Sequence, residues 1–245
     1  NWFFNQWYFN AGHPSLDISY AWDESAKKQT VKIKQTQAGQ AFILPMAIDV
    51  YSGGQKQRYQ VNMSEKEQNF SFPAKVKPDL VNVDADKVLL TIKNDQKPLS
   101  ASIFQYKNAP LFQDRLEAIQ AATKERKDPE AAKMMMAALQ DKYPGLRLAA
   151  IESLDLEEKA TAQAALPVLQ KLAATDASTT VQAKAMSTLA MMMNPADIPL
   201  FTKGLESKSY AVQGAAVMGL SLQQPAEALH IAKRFEKDNK AALTE

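Results

Sequence analysis

Residues 16–34 read LDISYAWDESAKKQTVKIK, and their spacing decides the first half of the fold. Leu16, Ile18 and Tyr20 alternate with Asp17 and Ser19, and Val31 and Ile33 alternate with Lys32 and Lys34. Successive side chains of a strand point to opposite faces, so a period of two sets one apolar row against a core and one polar row in water. Asp23, Glu24 and Ser25 supply turn chemistry between the rows, which makes the stretch a pair of one-sided strands. Further β-rich runs follow at residues 42–51, 57–63, 69–72, 80–83 and 87–93. Gly53 and Gly54 can take the positive φ angles of a tight hairpin, and Pro45, Pro73 and Pro78 belong at strand starts, edges or bends. About seven strands in some eighty residues without a helical period predict an immunoglobulin-like antiparallel β-sandwich over residues 15–94.

Upstream of it, residues 1–14 have a different character. Trp2, Phe3, Phe4, Trp7, Tyr8 and Phe9 place six rings within ten residues, and on a helix they cover roughly 260° of the circumference. A short helix of that kind needs partners on several faces. A membrane-surface anchor would carry Lys or Arg beside the rings, and residues 1–10 carry no charged side chain. A secretory signal would have a basic start and an aliphatic run. An ordinary terminal helix on the chain's own core remains an alternative, and the expectation preferred is one orphan helix, the last of a domain outside this chain.

Beyond residues 94–98 the period becomes helical, which sets a boundary there. Pro129, Pro144, Pro195 and Pro225 mark helix starts. Four copies of one pattern recur in this part: Arg115-Leu-Glu-Ala-Ile, Arg147-Leu-Ala-Ala-Ile, Gln182-Ala-Lys-Ala-Met and Gln213-Gly-Ala-Ala-Val, at steps of 32, 35 and 31 residues. Another amphipathic helix fits between successive copies. Paired helices at such a period predict a HEAT/armadillo-like α-α superhelix over residues 95–245, an irregular bundle being the alternative. Small residues such as Gly214, Ala215 and Gly219 would let adjacent helices approach closely. The two methionine runs, 134–136 and 191–193, are expected mainly to fill core, with one residue of a run exposed.

Chemistry is sparse. The chain has 245 residues, a formal charge of +2, no cysteine and two histidines. Charges are scattered rather than striped, so nucleic acid is not an expected partner, and no apolar stretch reaches membrane-spanning length. His13 reads as a turn residue and His230 as a helix-surface residue, too far from each other in sequence for a zinc motif. No phosphate loop and no nucleophile elbow occur. Carboxylates mostly lie beside basic residues, as at Glu157, Glu158 and Lys159 or Glu236 and Lys237, and read as solvated helix faces. No catalytic, cofactor-binding or metal residue is therefore assigned to any position.

FNQWYFNAGHP at residues 4–14 resembles the junction of zinc aminopeptidases of the aminopeptidase N type, the gluzincin metallopeptidases, in which the last helix of a thermolysin-like catalytic domain ends at a Gly-x-Pro turn. Trp7, Gly12 and Pro14 match that pattern. Residues 16–20 resemble the first strand of the family's sandwich, residues 33–37 its apolar-x-Gln strand, and residues 42–50, with Pro45, the strand that follows. The resemblance implies the domain order 1–14 catalytic-domain helix, 15–94 sandwich and 95–245 helical repeats. It also implies a parent enzyme that binds zinc in an upstream catalytic domain and removes residues from peptide N-termini. The motifs G-x-M-E-N and H-E-x-x-H are absent from this chain. The expected function is thus that of a non-catalytic C-terminal region, with the catalytic domain as partner, peptides as substrates of the whole, and an inactive fragment holding no zinc. A freestanding solenoid that binds a protein or peptide is the alternative.

Overall fold

The computed structural model describes residues 1–226, 230 and 233 and divides into two compact units, Asn1–Ala121 and Ala122–Glu245. The helical reading of residues 234–245, including the Glu236 and Lys237 face, lies outside the described residues. In the first unit β1 (Ser15–Asp23) pairs antiparallel with β2 (Lys28–Gln35) from Leu16 opposite Gln35 to Asp23 opposite Lys28. The period-two rows thus fall on one inner face: Leu16, Ile18, Val31 and Ile33 are fully buried. β3 (Leu44–Ser52) and β4 (Gln55–Met63) are joined by Gly53 and Gly54, both at positive φ, a two-residue hairpin of the kind whose twist matches its strands. β5 (Glu67–Pro73), β6 (Leu80–Val83) and β7 (Ile92–Asp95) complete a four-stranded sheet, β5-β2-β1-β7, and a three-stranded sheet, β4-β3-β6.

The sandwich core is formed between these sheets by Leu16, Ile18, Val31 and Ile33 from one and Leu44, Met46, Ile48, Val50, Met63, Val81 and Val83 from the other, with Phe72. Pairings are antiparallel except β1 with β7, which is parallel. Pro45 is the second residue of β3, Pro73 ends the edge strand β5, and Pro78 precedes β6.

Two expectations need correction here. The last strand covers Ile92–Asp95 rather than residues 87–93, because Asp84 and Lys87 both take φ above +50° and Asp84 accepts the N–H groups of Val88 and Leu89. That loop turns Lys87 inward, where a strand would have alternated it to one face. Residues 1–10 are also not one regular α-helix: α1 (Trp2–Phe4) continues as a π-helical turn, Asn5–Phe9. Asn1 caps α1 by accepting from the N–H of Phe3.

Two helices, α2 (Leu99–Asn108) and α3 (Phe112–Lys124), follow the strands. In the second unit α4 (Pro129–Ala138) and α5 (Pro144–Ser153) form a pair, then α6 (Lys159–Thr175) and α7 (Thr179–Met192), then α8 (Ile198–Gly204) and α9 (Tyr210–Gln223). Pro129 and Pro144 sit at first helical positions, and Pro195 opens a short 3-10 turn, Pro195–Asp197. Glu158, read from sequence as a solvated carboxylate, caps α6 by accepting from Ala160 at 3.0 Å and from Thr161.

Each of α5, α7 and α9 buries its pattern: Leu146, Ala150 and Ile151; Val181, Ala185, Met186 and Leu189; Val212, Ala215, Ala216 and Leu220. Close approach is built in at Gly219, where a Cβ would stand 2.6 Å from a ring carbon of the buried Phe201. Met134 and Met135 are buried as expected, but two residues of the second run are exposed rather than one: Met191 within α7 and Met193, which ends the helix in a left-handed conformation.

Candidate functional site

Three arrangements could carry function, and the first is one end of the sandwich. The start of β1, the end of β2, the start of β3 and the start of β7 meet there by register. Gln35, in the last position of β2, is 2% exposed and fully engaged. Its Nε2 donates to the carbonyls of Phe42 (2.9 Å) and Glu65 (3.2 Å), and its Oε1 accepts from the Phe42 N–H (2.8 Å) and Gln37 Nε2 (2.9 Å). It therefore ties the four-stranded sheet to the segments that enter and leave the three-stranded one. The residues it holds receive the N-terminal helix. Gln6 bonds both backbone groups of Ile43, donating to its carbonyl at 3.0 Å and accepting its N–H at 2.6 Å, and Trp7 packs on Phe42 with ring centroids 5.4 Å apart.

Only Gln6 and Trp7 of residues 1–10 are drawn in. Trp2, Phe3, Phe4, Tyr8 and Phe9 remain 45–76% exposed, as do Val88, Leu90 and Ile92 on the segment entering β7. Ile92 donates its N–H to Pro14 at 3.2 Å, and Thr91 Oγ1 bonds the same carbonyl, so both sets of exposed residues gather at this end. Single exposed apolar residues are common, whereas eight at one end, with no charged side chain among residues 1–10, form an exposed apolar patch. The segment is anchored on the chain's own core through Gln6 and Trp7, and most of its rings are uncovered.

The second arrangement is a buried polar network in the same unit, missed from sequence because its members stand far apart in the chain. Lys87 lies between Asp114 (3.0 Å) and Glu117 (2.9 Å), Lys93 pairs with Glu117 at 2.5 Å, and Asn82 donates to Asp114 at 2.8 Å. Lys97 joins Asp95 (2.9 Å) to Gln105 (2.7 Å), and Tyr20 donates to Asp95 at 2.8 Å. Burial alone would drive the Lys87 ammonium down, but Glu117 and Asp114 hold it above its ordinary value. Burial, aided by the neighbouring charge of Lys87, pushes Lys93 down. Burial would raise Glu117, yet Lys87 and Lys93 together keep its carboxyl below the usual glutamate range. Burial, with Asp95 beside it, raises Tyr20 well above the ordinary phenol value. Every charge here has a counter-charge, which suits a weld between α2–α3 and the strands rather than a reactive centre. On the outer face of β3 the buried Asp49 is similarly held by a bidentate Arg58, at 2.7 and 2.9 Å.

The third lies in the helical unit and explains the repeated polar position. Asp141, Asp176 and Ser207 each accept the N–H two residues on, from Tyr143, Ser178 and Ser209. Six residues after each stands Arg147, Gln182 or Gln213, which reaches back to a carbonyl of the loop before its own helix: Asp141 at 2.7 Å, Asp176 at 2.6 Å and Leu205 at 3.2 Å. Arg147 also reaches forward to the next loop, gripping the Asp176 carboxylate at 2.7 and 2.6 Å.

His13 is exposed beside Gly12, whose φ is +98°, and His230 is an exposed helical residue. Among the described residues no group of three or more His, Asp or Glu could hold a metal ion, and no helix is long and apolar enough to cross a membrane.

A family model described as HEAT repeats matches residues 104–190. No curated protein sequence matches. Among solved structures, the chain is similar to the crystal structure of Legionella pneumophila aminopeptidase A in complex with aspartic acid, with a TM-score of 0.69 at 14% identity, over 98% of this chain and 35% of that one. The chain therefore has an aminopeptidase-like β-then-α fold and spans about a third of that protein's length.

Proposed function

We propose that this chain is the non-catalytic C-terminal region of a zinc-dependent aminopeptidase. In this reading residues 1–14 are the last helix of the catalytic domain, residues 15–94 a sandwich that buttresses it, and residues 95–245 a helical-repeat domain that limits which peptides reach the active site. Zinc and the catalytic residues would belong to the upstream domain, and the chain alone would neither hold zinc stoichiometrically nor release an N-terminal residue.

The observation that carries the reading is the exposed, uncharged aromatic segment of residues 1–10 at one end of the sandwich, on a fold similar to an aminopeptidase along 98% of this chain. Five exposed rings on a helix anchored by Gln6 and Trp7 have the composition of an interdomain core cut open. The test uses the complete gene product, assayed for zinc content and for turnover of aminoacyl substrates, with and without Phe4→Asp and Phe9→Asp. Zinc-dependent release of N-terminal residues, reduced by the two aspartates, is expected. A complete product that lacks zinc and turnover would leave the freestanding binding scaffold in its place.

A further inference from the structure

The three described helix pairs of the second unit, α4–α5, α6–α7 and α8–α9, follow one design and differ at one rung. Asp141 and Arg147, Asp176 and Gln182, and Ser207 and Gln213 occupy equivalent places by sequence step and by the N–H that each loop residue accepts, while Arg147 and Gln182 reach the carbonyl six residues back and Gln213 the one eight back. Between the first pair and the second, Arg147 bridges from its own loop to the Asp176 carboxylate. Between the second and the third, Gln182 is shorter than arginine and Ser207 has no carboxylate. The bridge cannot form, and a cavity of ≈ 290 Å³ stands there, lined among others by Gln182, Ser207, Glu206, Lys203, Ala173 and Gly204.

That volume fits one side chain rather than a cofactor. Its acceptors are those a guanidinium needs. Gln182 spends its Nε2 on the Asp176 carbonyl and keeps its Oε1 as an acceptor, and Glu206 places an exposed carboxylate in the lining. The lining is small at Ala173 and Ala174, which leaves room for an aliphatic stem. Arginine is favoured over lysine by the planar fork of donors that already serves at the filled rung, where Arg147 makes two parallel bonds to one carboxylate. We propose that this cavity binds the guanidinium of an arginine residue in a peptide, which takes the place that Arg147 fills one repeat earlier. Lys203 is the one cation in the lining and opposes the ligand, and Glu206 favours it. The proposal does not depend on the aminopeptidase reading.

The test titrates the full chain with N-acetyl-L-arginine N-methylamide, followed by amide chemical shifts at Gly204 and Ser207 and the side-chain amide of Gln182. Saturable shifts are expected, with citrulline and lysine analogues at least about tenfold weaker. Gln182→Arg fills the cavity from within and should weaken binding by about tenfold or more. Glu206→Gln should weaken it severalfold and Lys203→Ala should tighten it, two opposite shifts that remain decisive should Gln182→Arg fail to fold. Equal affinity for citrulline, the same affinity in Gln182→Arg, or no response to either charge variant would overturn the site. Tighter binding of free L-arginine than of the blocked form would overturn the assignment to a peptide.

Discussion

Gln35→Leu removes the most connected side chain of the sandwich while keeping its bulk. Three backbone groups lose their partner: the N–H and carbonyl of Phe42 and the carbonyl of Glu65. A buried polar group left unpaired costs about 1–3 kcal/mol, and leucine returns about 1–2 kcal/mol through added apolar burial. With three groups stranded, and partial relaxation of the segment after β2, the net loss is about 3 kcal/mol. That is a large part of the roughly 5–15 kcal/mol by which a domain is folded. Equilibrium urea unfolding, followed by far-ultraviolet circular dichroism and by tryptophan emission, measures it. Because Phe42 also seats Trp7, the emission of Trp7 should shift toward that of an exposed indole at urea concentrations where the strands persist. Gln57→Leu, on the exposed strand β4, is the control and should change stability by less than about 0.5 kcal/mol. A loss below about 1 kcal/mol for Gln35→Leu would refute the claim that this glutamine ties the sheets together.

Two further outcomes follow from the packing and the charge network. Gly219→Ala gains about 1 kcal/mol of helix propensity but drives a methyl to 2.6 Å from the Phe201 ring, so thermal unfolding should show a net loss of about 1–2 kcal/mol, partly restored by Phe201→Leu. An unchanged or raised midpoint would contradict it. Glu117 has a carboxyl held below its unfolded value, so its ionised form adds stability that is present above the ordinary glutamate range and lost as pH falls through its folded pKa. Stability measured against pH should therefore fall less steeply below about pH 5 in Glu117→Gln than in the unsubstituted chain, from a lower start because Lys87 and Lys93 lose their partner. Parallel curves would remove Glu117 from the network.

Local periodicity made the architecture legible. The alternation through Leu16, Ile18, Val31 and Ile33 located the sandwich because one face of each strand is buried and the other is not. The recurrence of Arg115, Arg147, Gln182 and Gln213 located the helix pairs because stacking requires the same contacts in each copy. Both signals live within a few residues of one element. The network of Lys87, Lys93, Asp114 and Glu117 was invisible because its pairs are made by the turn of one loop at Asp84 and Lys87, which no period encodes. The same loop moved the last strand to Ile92–Asp95. Glu158 read as a surface charge because a capping carboxylate has the same composition as a solvated one. One exposed methionine was expected in the run, and the exposure of Met193 as well was not legible because a helix ending in a left-handed methionine carries no glycine to announce it. The aromatic end of the sandwich was legible as an excess of rings, whereas its anchor, Gln6 on the backbone of Ile43, was not.

In the proposed reading that end is an interdomain surface. Hydrogen exchange of the backbone amides of residues 2–9 measures this most directly, in the present chain and in the complete gene product. Exchange slowed by about a hundredfold or more in the complete product, with the β1 and β2 amides unchanged, is the predicted result. Equal exchange in the two, with Trp2, Phe4 and Phe9 as open in the complete protein as they are here, would contradict it.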